Sequence, residues 1–207
     1  MRTVIAFDGL SGAGKTTCTK ILLRLASLSG LSVFSLNEKE YEPIRSWVIA
    51  WHQRPNARKV FSLQDVYDFA KARAIVHEGI RRSIPADTII HFDRSIWTSA
   101  VYQQSEECGA DEVLKINVEA GAIVPDQTLL FLARPEECYR RILARASKIT
   151  TYNLPAQVES FEQVSLNLKR YRKISTLIPN CTEIDCEASI DIVARQAVSA
   201  ISDFLCE

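Results

Sequence analysis

A glycine-rich segment near the start of the chain has the residues and the spacing of a phosphate-binding loop. It runs from Gly9 to Thr16 and fits the pattern G-x-x-x-x-G-K-[ST]. An apolar run precedes it and a helical pattern follows it, which is the context that this motif requires. Its glycines let successive backbone N–H groups point at phosphate oxygens, and the following helix N-terminus adds partial positive charge. The segment therefore predicts a triphosphate site.

Individual side chains of this segment have expected roles. Lys15 would hold the β- and γ-phosphates of ATP as a point charge, and Thr16 would offer its hydroxyl to Mg²⁺. ATP and Mg²⁺ are therefore the expected cofactors. The chain lacks the N-K-x-D sequence that reads guanine, which argues against a GTPase. The loop residues expected to bind ATP are Gly9, Leu10, Ser11, Gly12, Ala13, Gly14, Lys15, Thr16 and Thr17.

A second charged pair, Asp93-Arg94, directly follows another apolar run. An acid at the end of a strand beside a phosphate loop can hold Mg²⁺ through water, so Thr16 and Asp93 are the expected metal ligands. The forked guanidinium of Arg94 can clamp a phosphate. An Asp–Arg pair with a purely structural role is the alternative interpretation of these two residues.

An α/β fold must position these motifs, because short β-branched runs alternate with segments of helical period. The pattern predicts a parallel sheet covered by helices on both faces. Ligands bind beyond the carboxyl ends of such strands, and both motifs lie there. Residues 37–61 are expected to be irregular. The predicted strands are 3–7, 32–36, 88–92, 128–132 and 182–184, and the predicted helices are 14–29, 62–83, 97–107, 111–122, 136–146, 160–177 and 189–205.

Length and charge narrow the class of protein. The 207 residues fit one domain, 1–207, and 25 basic residues balance 25 acidic ones. A zero net charge provides no basic footprint for wrapping nucleic acid. No apolar run approaches the roughly 20 residues that cross a bilayer. We therefore expect small-molecule substrates, no nucleic-acid or membrane partner, and a cytoplasmic location.

The motifs together resemble the thymidylate kinase family of P-loop nucleoside monophosphate kinases, over nearly the whole chain except about residues 37–61. The resemblance implies a P-loop NTPase fold with a five-stranded parallel sheet and a short lid at about 147–158. It also implies transfer of a phosphoryl group from ATP to a deoxynucleoside monophosphate, namely dTMP to dTDP, by a homodimer. The matching segments are Phe7–Thr17, Asp93-Arg94, Tyr102-Gln103, Pro125–Leu129, Glu159–Phe161 with Tyr171, and Ile184-Asp185.

The resemblance also implies roles for single side chains. Phe69 would stack on a pyrimidine, and Arg73, one helical turn later, would donate to a ring carbonyl. Arg141 would lie beside the adenine, and Arg145 or Lys148 would close over the transferring group. The implied acceptor-binding residues are Phe69, Arg73, Arg94, Ser99, Tyr102 and Gln103, and the implied catalytic residues are Lys15, Asp93, Arg94, Arg145 and Lys148.

Four departures from the family pattern leave other functions open. Ser11 stands where the family often has an acid near the acceptor sugar, and Ser95 stands where an aromatic or similar residue usually follows Asp-Arg. The segment 37–43 lacks the family's Arg-Glu-Pro-Gly run, and Pro155 lies near the position of a lid arginine.

These departures define two alternatives. Asp-Arg-Ser, with Glu38 or Glu42 as a base, is closer to the deoxynucleoside kinases, which share the fold. A nucleoside kinase, or a kinase of an unusual nucleotide, is therefore the first alternative. A nucleotide-binding protein with weak or lost turnover is the second.

Overall fold

The computed structural model describes residues 2–54, 60–146 and 159–206. Five strands form a parallel sheet in the order β2-β3-β1-β4-β5. The predicted fold class is confirmed, and each strand end lies within two residues of its predicted position. The strands are β1 (Val4–Gly9), β2 (Val33–Leu36), β3 (Ile89–Asp93), β4 (Gln127–Leu132) and β5 (Cys181–Asp185).

Helices connect the strands and complete the α/β pattern. Two short 3₁₀ turns, Glu38–Glu40 and Ser175–Leu177, accompany them. In the described part of the chain, no helix combines the length and the apolar character needed to cross a bilayer. The helices are α1 (Lys15–Leu28), α2 (Ile44–Gln53), α3 (Leu63–Ser83), α4 (Ile96–Tyr102), α5 (Ala110–Glu119), α6 (Pro135–Ala146), α7 (Phe161–Ile174) and α8 (Ile190–Cys206).

The central strand β1 is buried along its whole length, as is β4 beside it. Successive side chains of a strand point to opposite faces of a sheet, so β1 contributes to two cores. Ile5 and Phe7 pack in a core with residues of α1, α6, α7 and α8. Val4 and Ala6 pack in a second core with residues of α2 and α3. Helices therefore cover both faces, as the continuous apolar strands predict.

The strand order brings the two sequence motifs together. Strand β1 lies between β3 and β4, and the register pairs Phe7 with Asp93 and Gly9 with Phe131. The loop after β1 and the loop after β3 thus emerge side by side at the carboxyl edge of the sheet. This edge is where open parallel sheets bind their ligands.

Helix α3 begins with a capping box. The hydroxyl of Ser62 accepts a hydrogen bond from the Asp65 backbone N–H, and the Asp65 carboxylate accepts one from the Ser62 backbone N–H. Such a cap satisfies N–H groups that the first helical turn leaves unpaired. It fixes the start of the helix that carries Phe69 and Arg73.

Two predictions about helices were wrong. Residues 37–54 are not irregular, because they hold a 3₁₀ turn and α2. The signal was present in Trp47 and Trp51, one turn apart, and Pro43 precedes the helix, where proline is tolerated. Helix α4 ends at Tyr102 and not at 107, because Ser105 and Cys108 form a turn with backbone hydrogen bonds of 2.9 and 3.4 Å.

Candidate active site

The loop after β1 is shaped by two glycines whose positions exclude a side chain. Gly9 has a φ of 127°, and a Cβ there would lie 2.1 Å from the Phe131 carbonyl oxygen. Gly12 has a φ of 81°, and a Cβ there would lie 2.4 Å from the Cys138 carbonyl oxygen. Only glycine fits both the conformation and the space. The loop is thereby folded tightly against β4 and α6.

The N-terminus of α1 is left open for an anion. Its N-cap residue, Gly14, is left-handed and makes no side-chain capping hydrogen bond. Thr17 and Cys18 donate the first backbone hydrogen bonds of the helix, both to the Gly14 carbonyl oxygen. In the described chain this leaves the N–H groups of Lys15 and Thr16 available to phosphate oxygens. Thr16 and Thr17, in the same turn, are exposed toward solvent. The geometry fits the phosphate cradle that the sequence predicts.

Lys15 folds back onto the loop that carries it. Its ammonium donates hydrogen bonds to the carbonyl oxygens of Gly9 (3.0 Å) and Leu10 (2.6 Å). Burial, and second the repulsion from Arg94, lower its pKa from 10.5 to about 7, although Asp93 and Asp8 act in the opposite direction. The lysine is thus held at the cradle, where the nearby carboxylates only partly compensate its loss of hydration.

Arg94 reaches the same carbonyl group from the neighbouring loop. Its guanidinium donates to the Gly9 carbonyl oxygen (3.3 Å) and to the hydroxyls of Thr98 and Ser11 (3.4 Å each). Its φ of 77° is rare for a residue with a side chain, and such strain is retained where the surroundings enforce it. Two cations therefore converge on one oxygen atom, an arrangement that favours an anion between them.

The groups around Arg94 stabilise its positive charge. Burial acts against the charged form, but Tyr102, Tyr171, Asp8 and Asp93 outweigh burial and raise the pKa of Arg94 further. The guanidinium also lies over the Tyr102 ring, 5.5 Å from its centroid. Arg94 therefore stays charged near neutral pH.

Asp8 positions the Arg94 loop and was not predicted as a site residue. Its carboxylate is fully buried at the end of β1 and accepts hydrogen bonds from the Ser95 backbone N–H (3.2 Å) and hydroxyl (2.6 Å). The Thr98 hydroxyl donates to it as well. The sequence signal was a charged residue at the end of an otherwise apolar strand. Ser95 thus has a structural role that the usual aromatic residue could not fill.

A polar cluster lies beside the cradle. The Ser11 hydroxyl donates to the Glu159 carboxylate (2.5 Å) and lies 3.4 Å from the Tyr102 hydroxyl. The Tyr102 hydroxyl also donates to Glu159 (3.3 Å), and the Asn167 amide lies 3.5 Å from that carboxylate. Glu159 was missed as a site residue, because it is 148 positions away from Ser11 in the sequence. A carboxylate therefore stands next to Ser11, where the family often has an acid.

Phe69 and Arg73 lie together on α3, as their spacing predicts. The guanidinium of Arg73 is 4.9 Å from the Phe69 ring centroid, and both residues are buried. Arg73 donates two hydrogen bonds to Glu38 (2.8 Å each) and one to Asn117 (2.5 Å). A guanidinium has five N–H donors, so two remain for a base carbonyl. The roles of Phe69 and Arg73 toward an acceptor remain predictions.

Glu38 is the centre of that buried network. Besides Arg73 it contacts His77 Nε2 at 2.8 Å, while His77 Nδ1 accepts from the Ile123 N–H. His77 therefore donates from Nε2 and is neutral. Burial alone would raise the pKa of Glu38, but Arg73 and His77 lower it to about 2. A carboxylate this acidic and this fully engaged is a poor general base.

The remaining predicted residues fall at several places around the cradle. Arg141 donates to the carbonyl oxygens of Gly12 (3.4 Å) and Cys186 (3.0 Å), so it lies directly beside the loop. Ser99 and Gln103 are buried on and just after α4, and in the described chain Gln103 Oε1 has no hydrogen-bond partner. Arg145 is exposed in the last turn of α6. Lys148 and the predicted lid, 147–158, lie outside the described residues.

Lys39 is a further cation that sequence reasoning missed. It follows β2, and much of its side chain is exposed. Loss of hydration at the ammonium, and second the repulsion from Arg94, lower its pKa, while Asp93, Glu38 and Glu159 act to raise it. The pKa of Lys39 therefore depends on the charges of Arg94, Asp93 and Glu159.

Lys15 of the phosphate loop and Arg94 of the neighbouring loop both donate to the Gly9 carbonyl oxygen. Together with the parallel sheet, this site defines a P-loop phosphotransferase. A family model described as Thymidylate kinase matches residues 7–196. The chain belongs to the thymidylate kinase family and is therefore a nucleoside monophosphate kinase.

Several curated thymidylate kinases are similar in sequence to this chain over nearly its full length. A thymidylate kinase of Bacillus velezensis is 27% identical over 97% of this chain and 95% of its own length. A thymidylate kinase of Desulfotalea psychrophila is 29% identical over 98% of this chain and 95% of its own length. A probable thymidylate kinase of Sulfolobus acidocaldarius is 26% identical over 98% of this chain and 97% of its own length.

The lowered pKa of Lys15, about 7, predicts a pH dependence of Mg-ATP binding. Triphosphate oxygens favour the ammonium and raise this pKa in the complex. Below pH 7 the lysine is charged in the free protein and in the Mg-ATP complex, so the affinity for Mg-ATP is maximal. Above pH 7 binding requires proton uptake, and affinity should fall by up to about tenfold per pH unit. Calorimetry in buffers of different ionisation enthalpy measures this uptake.

The variant Lys15→Ala provides the control for that experiment. It should bind Mg-ATP more weakly and should take up no proton between pH 7 and pH 9. Equal proton uptake by the variant and the parent chain would show that another group titrates.

Proposed function

We propose that this chain transfers the γ-phosphoryl group of ATP to dTMP and releases ADP and dTDP. The observation that carries the proposal is the convergence of Lys15 and Arg94 on the carbonyl oxygen of Gly9. One cation belongs to the triphosphate loop and the other to the adjacent loop, so a donor and an acceptor phosphate can be held on either side of the transferring group.

The donor side is formed by the cradle. The backbone N–H groups of Lys15 and Thr16 would bind the phosphate oxygens, and the Lys15 ammonium would swing from the loop carbonyls to the β- and γ-phosphates. Arg141, beside Gly12, would lie against the adenine. Nine residues contribute here, namely Gly9, Leu10, Ser11, Gly12, Ala13, Gly14, Lys15, Thr16 and Thr17.

Mg²⁺ fits the same edge of the sheet. The exposed Thr16 hydroxyl and the partly exposed Asp93 carboxylate are the hard oxygen ligands that this ion prefers. Bound Mg²⁺ would neutralise phosphate charge. Thr16 would hold it directly, and Asp93 would hold it through water.

The acceptor side is formed by α3, α4 and the loop after β3. Arg94 would clamp the acceptor phosphate, while Phe69 and Arg73 would hold the thymine. Ser99, Tyr102 and Gln103 would line the remainder of the pocket. Glu159 would accept a hydrogen bond from the sugar hydroxyl, with Ser11 and Tyr102 fixing its carboxylate.

In the chemical step, an oxygen of the acceptor phosphate attacks the γ-phosphorus, and the bond from phosphorus to the β–γ bridging oxygen breaks. The electron pair leaves with ADP. The attacking oxygen is already anionic near neutral pH, so no strong general base is required. Arg145 and Lys148 would close over the transferring group. Exclusion of water by the segment 147–158 would prevent hydrolysis.

The buried network around Glu38 favours a monophosphate acceptor over a nucleoside. A nucleoside hydroxyl needs a base, and Glu38 has a pKa lowered to about 2 and is bonded to Arg73 and His77. Glu42, the other candidate, accepts a hydrogen bond from the Ser46 N–H on the exposed start of α2. A nucleoside kinase would therefore lack an effective base at these two positions.

A panel of acceptors tests the reaction. With Mg-ATP, ADP release should be fast with dTMP, slower with dUMP and negligible with thymidine or deoxycytidine. Arg94→Ala should lower kcat/KM for dTMP by at least about 10²-fold, because a charge-assisted contact made in the transition state is lost. Mg-ATP affinity should change by less than about fivefold. Turnover of nucleosides alone, or none with any acceptor, would favour one of the two alternatives.

The proposed contact between Glu159 and the sugar predicts that a change at Glu159 weakens binding only of acceptors that carry the sugar hydroxyl. Glu159→Gln should raise KM for dTMP about tenfold, since a hydrogen bond to a charged acceptor contributes about 1.5–3 kcal/mol. With the 3′-deoxy analogue of dTMP as acceptor, Glu159→Gln should not raise KM. Glu162→Gln, an exposed neighbour at the start of α7, is the matched control and should behave as the parent chain. An equal effect on both acceptors would contradict a contact to the sugar.

We further propose that the chain forms a homodimer through α3. Tyr67, Lys71 and Ile75 lie at successive i, i+4 positions, and the two apolar members are 40% and 62% exposed. Val118 on α5, which packs beside α3, is also 48% exposed. Light scattering after gel filtration should give twice the chain mass. Ile75→Asp should give the monomer, whereas Arg82→Asp on the same helix should remain dimeric.

A further inference from the structure

Glu38 holds the guanidinium of Arg73 by two hydrogen bonds side by side. Nε and Nη2 of Arg73 donate to Oε1 and Oε2 of Glu38, at 2.8 Å each. A carboxylate that pairs with both arms of a planar fork fixes the orientation of the guanidinium as well as its position. Glu38 is 5% exposed and Arg73 is 2% exposed, so water competes little for these bonds. The guanidinium therefore has one preferred orientation.

Two further side chains hold this ion pair in place. Asn117 on α5 accepts a hydrogen bond from Nη1 of Arg73 at 2.5 Å, and its own amide donates to a backbone carbonyl oxygen of α5 at 2.8 Å. His77 on α3 lies 2.8 Å from Glu38 through Nε2, while its Nδ1 accepts from the Ile123 backbone N–H at 2.8 Å. Both partners of the ion pair are thus tied to the helices around them.

The contacts leave Arg73 two N–H groups in one fixed plane. A guanidinium has five N–H donors, and within the described residues one donor on each of Nε, Nη1 and Nη2 is used. One N–H on each Nη atom remains. The Phe69 ring centroid is 4.9 Å from the guanidinium carbon, so these donors lie beside an aromatic ring on which a base can stack. Their partner on a base must be an acceptor.

The chemistry of a pyrimidine at position 4 meets this requirement in only one of its two common forms. A 4-carbonyl oxygen has two lone pairs and can accept from the guanidinium. A 4-amino group would bring its own N–H groups against those of Arg73. A site that turns fixed donors toward a donor rejects that base, and the rejection is strong only if the donors cannot rotate away.

We propose that Glu38 is a positioning residue, which acts through Arg73 to select an acceptor base with a carbonyl group over one with an amino group. Since dTMP is the proposed acceptor and Arg73 its proposed contact, this role rests on the proposed function. Glu38 lies in the segment 37–43, where the chain departs from the family pattern, so membership of the family does not assign it this role.

Selection is measured as the ratio of kcat/KM for dTMP to kcat/KM for 5-methyl-dCMP, whose bases differ only in the 4-substituent and the adjacent ring proton. Glu38→Gln offers one acceptor where the carboxylate offers two, so Arg73 is held at one point. The ratio should fall at least about tenfold, mainly through a higher KM for dTMP, because misplacing a contact by about 1 Å can cost about 10²-fold. KM for Mg-ATP should change by less than about twofold.

Two more variants support the comparison. Glu38→Asp keeps the buried pair of charges and provides the test if Glu38→Gln does not fold. Its shorter side chain cannot reach both Nε and Nη2 of Arg73, so the ratio should fall in the same direction. Glu40→Gln is the matched control, because Glu40 lies on the same 3₁₀ turn but is exposed and bonded to Asn37. It should keep the parental ratio.

A double variant tests whether Glu38 acts through Arg73. Arg73→Gln removes the forked donor and should lower the ratio at least as much as Glu38→Gln does. Adding Glu38→Gln to Arg73→Gln should then change the ratio by less than about twofold, whereas independent effects would multiply.

The outcomes separate this role from the proposed function. A parental ratio in both Glu38→Gln and Glu38→Asp, even with lowered thermal stability, would show that Glu38 is only structural and would overturn the role. Multiplied effects in the double variant would overturn it as well, and in both cases turnover of dTMP by the parent chain would stand. Absence of dTMP turnover by the parent chain would contradict the proposed function, and the role of Glu38 with it.

Discussion

The buried carboxylate of Asp8 is the constraint on which the active-site geometry depends. A fully buried charge is costly unless hydrogen bonds compensate for its lost hydration. Here the compensation comes from the Ser95 backbone, the Ser95 hydroxyl and the Thr98 hydroxyl, all on the loop and helix after β3. Asp8 at the end of β1 thus fastens the loop of Arg94 to the loop of Lys15. The left-handed conformation of Arg94 is maintained by this attachment.

That attachment produces an electrostatic imbalance that a nucleotide would relieve. The two cations share the Gly9 carbonyl oxygen, and burial together with their mutual repulsion lowers the pKa of Lys15 to about 7. Preorganised positive charge of this kind needs little rearrangement when phosphates arrive. The network of Glu38, Arg73 and His77 provides rigidity on the acceptor side, because every member is buried and hydrogen-bonded.

Local pattern was enough to predict the fold and the cradle. The spacing from Gly9 to Thr16 and the alternation of apolar strands with helices predicted the parallel sheet and placed both motifs at its carboxyl edge. Helix α2 is an exception, because the prolines near its two ends predict irregular structure, whereas a proline before the first turn is compatible with a helix.

The missed site residues depend on contacts between distant parts of the chain. Glu159 reaches Ser11 across 148 positions, and Asp8 reaches Ser95 across 87. No local spacing encodes such contacts, because they arise only when the strand order is known. Ser11 is an example, since the loop lacks an acid there and the Glu159 carboxylate, which lies just before α7, contacts the Ser11 hydroxyl instead.

We propose that Lys15 and Arg94 hold the phosphates of two different nucleotides on either side of the transferring group. A crystal structure with Mg²⁺, a non-hydrolysable ATP analogue and dTMP tests it most directly. In such a complex we expect Lys15 Nζ to leave the Gly9 and Leu10 carbonyls for a β- or γ-phosphate oxygen, while Arg94 contacts the dTMP phosphate. Lys15 still bonded to both carbonyls, with Arg94 remote from the acceptor phosphate, would contradict it.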